Sequence, residues 1–130
     1  MKILTLIIKQ RWFDEIMSGK KTIEYREVKP TNYKKLIETD EEGYIKEVPD
    51  SEVSPYYPKK YDAIRFYVGY AKDRDTALVK VKEVENKAIL NDKGEFIYSG
   101  DPNGEDFWVY SENQYHLGEV VEKTHNHRAK

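Results

Sequence analysis

The segment Ser18-Gly19-Lys20-Lys21-Thr22-Ile23-Glu24-Tyr25-Arg26 turns a helical pattern into an alternating one, and the fold can be read outward from it. Just upstream, Trp12, Phe13, Ile16 and Met17 recur at helical spacing among Arg11, Asp14 and Glu15, which predicts a short helix over residues 10–18. Gly19 then supplies a position able to take positive φ and end that helix. Over residues 21–28 the period becomes two, with Ile23 and Tyr25 on one side and Thr22, Glu24 and Arg26 on the other. A half-buried strand therefore leaves a helix end, and Lys21 sits at the corner.

Further upstream, Ile3-Leu4-Thr5-Leu6-Ile7-Ile8 is apolar almost throughout, as a central strand covered on both faces would be. The run stops at Lys9-Gln10-Arg11 without a small-residue cleavage site, so it reads as a strand rather than an export signal. Downstream, Pro30 closes the second strand, and Asn32 stands where it would cap a helix over 33–38 that turns Leu36 and Ile37 inward. Residues 39–60 carry Gly43, Pro49, Asp50, Pro55 and Pro58 without sustained periodicity and read as a long loop or lid.

Strands are expected at 63–70 and 77–84, joined as a hairpin across 71–76. A second hairpin pairs 88–90 with 96–98 around Asn91-Asp92-Lys93-Gly94, and Asp101-Pro102-Asn103-Gly104 is a further turn. Strands at 107–110 and 115–121 complete an α+β domain of five to seven strands and two or three short helices. Short antiparallel strands must close or cover their edges, which favours a small β-barrel or curled sheet with helices over its ends. The domain spans 1–123, and the polar tail 124–130 is expected to be disordered.

The chain has 130 residues and suits one domain. It has no cysteine, which excludes disulfides, thiolate metal sites and a thiol nucleophile, and fits a reducing, cytoplasmic setting. No apolar stretch approaches the ~20 residues that span a bilayer, so no membrane role is expected. With 22 basic against 24 acidic residues, nucleic-acid binding would have to come from a local patch rather than from net charge. Eleven tyrosines suit half-buried strands first and a stacking surface second. No Gly-rich phosphate loop is present.

On the polar face of the 21–28 strand, successive side chains stand about 7 Å apart. There, Arg26 can fork onto a phosphate or carboxylate, Glu24 can accept from an exocyclic amine, and Thr22, Lys20 or Lys21 can contact an oxygen. The same Glu24 and Arg26 also read as a same-face ion pair on an exposed strand. Arg65 and Tyr67 alternate with Phe66 and Val68 and are expected to contribute to a second wall. Trp108, after a turn-rich loop, is placed at the rim as a stacking residue, whereas Trp12 is assigned to packing. His125 and His127, with only His116 as another imidazole, read as part of an unstructured end, and neither metal nor cofactor is expected.

Leu6-Ile7-Ile8-Lys9, Trp12-Phe13-Asp14-Glu15-Ile16, the 18–27 segment and Tyr115-His116-Leu117-Gly118-Glu119-Val120-Val121 together resemble the ASCH domain, a member of the PUA-like superfold. The resemblance implies a small β-barrel with a cleft walled by the strand bearing Thr22, Glu24 and Arg26, and a ligand that is RNA, a nucleotide or a modified nucleoside. Some ASCH relatives are amidohydrolases of N4-acetylcytidine that use a lysine matching Lys21, a threonine three positions later and a glutamate from another segment. Here the third position holds Glu24, which cannot serve as a hydroxyl nucleophile, and Thr22 is the hydroxyl at hand. A binding module is therefore the first reading. An amidohydrolase using Lys21, Thr22 and Glu24 is the second, and a protein-binding adaptor using the tyrosines and residues 39–60 is the third.

Overall fold

β1, over Ile3–Ile8, buries Leu4, Leu6 and Ile8 and turns Ile3 outward at 38% exposure. Despite its apolar run it is an edge strand with one buried face, not a central one. The structure, a computed structural model, describes residues 1–124 apart from Glu52, Pro102 and Glu105. After β1 come α1 (Gln10–Met17), β2 (Ile23–Val28), α2 (Tyr33–Leu36), β3 (Ala63–Val68) and β4 (Thr76–Ala88). β5 (Tyr98–Ser99), β6 (Trp108–Val109) and β7 (Ser111–Thr124) follow. Thr124, expected in the tail, ends β7, and residues 125–130, with His125 and His127, lie outside the described residues.

Five strands form one sheet in the order β1-β3-β4-β7-β2, and β5 with β6 forms a second. β1 runs parallel to β3, from Ile3 opposite Ala63 to Ile8 opposite Val68. A parallel pair needs a crossover, which residues 9–62 provide. β3 and β4 form the expected antiparallel hairpin, with Ala63 opposite Lys80 and Tyr67 opposite Thr76. The expected barrel is corrected: the sheet is open, with β1 and β2 as its two edges. Both edge strands are six residues long and are flanked by Lys2, Lys9, Lys29 and Pro30, which blunts an edge without closing it.

The chain divides into two compact units, the first of Met1–Glu24, Lys60–Glu83 and Tyr115–Lys130, the second of Tyr25–Lys59 and Val84–Gln114. In the first unit, Phe13 and Ile16 are the buried residues of α1, and Ile64, Phe66, Val79 and Tyr115 are fully buried. Trp12, expected in the core, is 37% exposed.

In the second unit Leu36 and Ile37 are buried as expected. Asn32 does not cap α2 with its side chain; its Oδ1 accepts from the Lys29 N–H at 2.8 Å and its Nδ2 donates to the Glu27 carbonyl at 3.1 Å. Residues 39–60 form bridges between Thr39 and Ile45 and between Glu47 and Tyr56. Tyr56 is buried, and its hydroxyl accepts from the Val109 N–H at 3.0 Å.

Burial pushes the Tyr56 hydroxyl above its ordinary value of 10.0; the Val109 N–H opposes the rise and Glu47 adds to it. A raised folded value means that the unfolded chain loses this proton first. The stabilisation is therefore whole below about pH 10 and is lost as pH climbs through the folded value. Alkaline denaturation followed by circular dichroism should show stability falling above pH 10, with a shallower slope in Tyr56→Phe. Equal slopes in the two proteins would refute the assignment.

Candidate functional site

The corner that carries Lys21 is built by the end of α1. The Ser18 N–H donates to the Asp14 carbonyl at 3.0 Å, Gly19 to Ile16 at 3.2 Å, and Lys21 to Glu15 at 2.9 Å. Gly19 takes φ +81°, a left-handed conformation that a residue with a Cβ adopts only with strain. The chain leaves this turn with the Lys21 side chain folded back into the first unit. Lys21 Nζ lies 3.5 Å from Glu24 Oε1, with the two side chains 15% and 7% exposed. The same ammonium stands 5.4 Å from the centre of the Trp12 ring, over which the Arg11 guanidinium also lies at 4.6 Å.

The polar face of β2 is thus not simply the outer one. Glu24 is 5% exposed, whereas Tyr25 is half-exposed and Thr22 is exposed. A buried carboxylate is tolerated because the neighbouring ammonium offsets its desolvation.

Thr22 opens onto a cleft of about 410 Å³ lined by Thr22, Ile23, Lys82, Glu83, His116 and Leu117, all in the first unit. The Leu117 N–H donates to the Thr22 carbonyl at 2.9 Å, which sets β7 beside the start of β2. His116 Nε2 lies 3.7 Å from Glu83 Oε1. The lining therefore offers a hydroxyl, an ammonium, a carboxylate and an imidazole, with Ile23 and Leu117 as its apolar part.

Of the residues singled out in the sequence, Lys20, Lys21, Thr22, Glu24, Arg65 and Tyr67 belong to the first unit, and Arg26 and Trp108 to the second. Only Thr22 among them lines the cleft. Arg65 faces Glu122 at 3.8 Å, and Tyr67 carries the Arg74 guanidinium 4.1 Å from its ring centre. Trp108 is 8% exposed and packs edge-on to Tyr33 and tilted against Tyr56, at 6.1 and 5.9 Å between ring centres. It is a core residue of its unit, not a stacking surface. The cleft is completed by Lys82, Glu83 and His116, which the sequence does not single out as a site. The alternation of Val79 and Val81 with Lys80 and Lys82 points to an outward face on β4, but nothing local says which strand lies opposite it.

Residues 6–96 of the 130 match the family model described as ASCH domain. No curated protein and no solved structure matches the chain.

Proposed function

The chain belongs to the ASCH domain family, and from that premise we propose that the cleft at Thr22 binds a nucleotide or a base of RNA. The family is PUA-like and of RNA-binding type. The observation that carries the reading is the mixed lining of the cleft. Lys82 meets a phosphate or a base carbonyl, Glu83 accepts from an exocyclic amine, and the Thr22 hydroxyl and His116 imidazole complete the polar rim. Ile23 and Leu117 supply the apolar contact that a base face needs. In this reading Lys21 and Glu24 act as a frame that fixes the start of β2. Of the three residues an amidohydrolase reading uses, Thr22 alone lines the cleft.

The test is a binding panel of nucleoside monophosphates and short single-stranded RNAs, read by calorimetry at several salt concentrations. Lys82→Gln should weaken binding about tenfold, the effect of removing a charge-assisted hydrogen bond worth about 1.5 kcal/mol. It should also reduce the salt slope by about one. If Lys82→Gln and His116→Ala both bind like the wild type, the cleft is not the site.

A further inference from the structure

The second unit carries a surface of a different kind on residues 90–110. Tyr98 and Phe107 stack with ring centres 5.1 Å apart and planes 21° from parallel, and Phe96 meets Tyr98 edge-on at 6.1 Å. Tyr98 is 54% exposed, and Leu90 and Tyr110 beside this array in the chain are 47% and 36% exposed. The same stretch of chain carries the exposed Asp92, Glu95, Asp101 and Asp106. Residues 90–110 hold five acidic residues and one lysine, a net charge of −4 against −2 for the whole chain. The remainder of the protein is accordingly net basic.

Such a surface repels phosphates and attracts cations. Among cations the guanidinium fits best, because one planar group can both stack on an aromatic ring and fork onto a carboxylate, which an ammonium cannot. The molecule itself sets both kinds of cation over rings, Arg11 over Trp12 at 4.6 Å and Arg74 over Tyr67 at 4.1 Å, Lys2 over Tyr61 at 5.1 Å and Lys21 over Trp12 at 5.4 Å, so the preference for guanidinium rests on its planar fork. We propose that this aromatic, acidic hairpin docks an arginine-rich segment of a partner protein.

The backbone holds the array ready. Tyr98 pairs with Val109 and Ser99 with Trp108, and both partners on β6 are buried. The Asn91 N–H donates to the Glu95 carbonyl at 2.9 Å, and the Gly104 N–H to the Asp101 carbonyl at 2.8 Å. Gly100 has φ +82°, and a Cβ there would collide with the Asp106 backbone carbonyl, so the turn closes tightly on glycine. A preformed surface loses little entropy on binding.

The experiment uses the full chain and three labelled probes in fluorescence anisotropy at physiological salt: an arginine nonapeptide, a lysine nonapeptide and a single-stranded RNA of equal length. The arginine peptide should bind about fivefold more tightly than the lysine peptide, and Tyr98→Ala should lower its affinity about fivefold, as loss of one cation–π contact would. The double variant Asp92→Asn, Asp106→Asn, which keeps side-chain shape, should also weaken it and decides the matter if Tyr98→Ala compromises folding. Equal affinity for the two peptides overturns the proposal, as does indifference to both variants. RNA binding that depends on Tyr98 would overturn it as well.

Discussion

Lys21→Met is expected to lower the unfolding free energy by about 3 kcal/mol, because it removes one partner of a buried ion pair and leaves the other in place. Lys21 Nζ and Glu24 Oε1 are 3.5 Å apart with side chains 15% and 7% exposed, which separates this pair from the solvent-exposed kind worth under about 1 kcal/mol. Methionine keeps most of the length of the lysine side chain, so the change is chiefly the loss of the ammonium from beside Glu24 and from the Trp12 ring. Replacing both residues, as Lys21→Met with Glu24→Leu, should recover a large part of the loss, since the buried carboxylate is removed along with the ammonium beside it. Urea denaturation of the wild type, the two single variants and the double variant gives the coupling directly. A cost below about 1 kcal/mol for Lys21→Met would place the pair with ordinary surface ion pairs.

How far the sequence discloses this molecule depends on whether a signal is local. The α1 pattern, Gly19 and the β3–β4 hairpin are local, and the structure contains them where the periodicities put them. The buried face of β2 is not local. Ile23 and Tyr25 look like inward residues, yet Tyr25 is half-exposed while Glu24 and Val28 are buried, because an ion pair lets the carboxylate enter. Trp12 shows the same limit at the edge of a helix stripe: Phe13 and Ile16 take the core, and the indole is left outside with two cations. The cleft was legible only at Thr22. Lys82 and Glu83 on β4 and His116 on β7 are brought together by strand order, and no spacing along the chain encodes that order. The open sheet is not legible in the sequence for a related reason, since strand number says little about whether edges meet.

Asn86→Leu is expected to cost about 4 kcal/mol, from two or three buried polar groups stranded at about 1–3 kcal/mol each. Asn86 is 1% exposed and belongs to a buried polar cluster in the second unit, with Ser111 and Asn113. Its Oδ1 accepts from the Tyr56 N–H at 3.0 Å, while its Nδ2 donates to Ser111 Oγ at 3.1 Å and to Asn113 Oδ1 at 3.0 Å. Asn113 in turn donates from Nδ2 to the Leu36 carbonyl at 2.7 Å. No buried side-chain nitrogen or oxygen among the described residues lacks a hydrogen-bond partner. Leucine keeps the branching of asparagine but is bulkier, so overpacking adds to the loss of the bonds from the Tyr56 N–H and to Asn113 Oδ1. Asn86→Asp should be no rescue, because a carboxylate oxygen would face Asn113 Oδ1 and a charge would be buried. Ser111→Ala gives the contrast, as Asn86 Nδ2 keeps Asn113 and only one bond is lost, for about 1 kcal/mol. Chemical denaturation of the three variants ranks them. If Asn86→Leu is as mild as Ser111→Ala, the cluster does not hold this unit together by its hydrogen bonds, and the stability must reside in the surrounding Leu36, Ile37, Tyr56 and Trp108 packing.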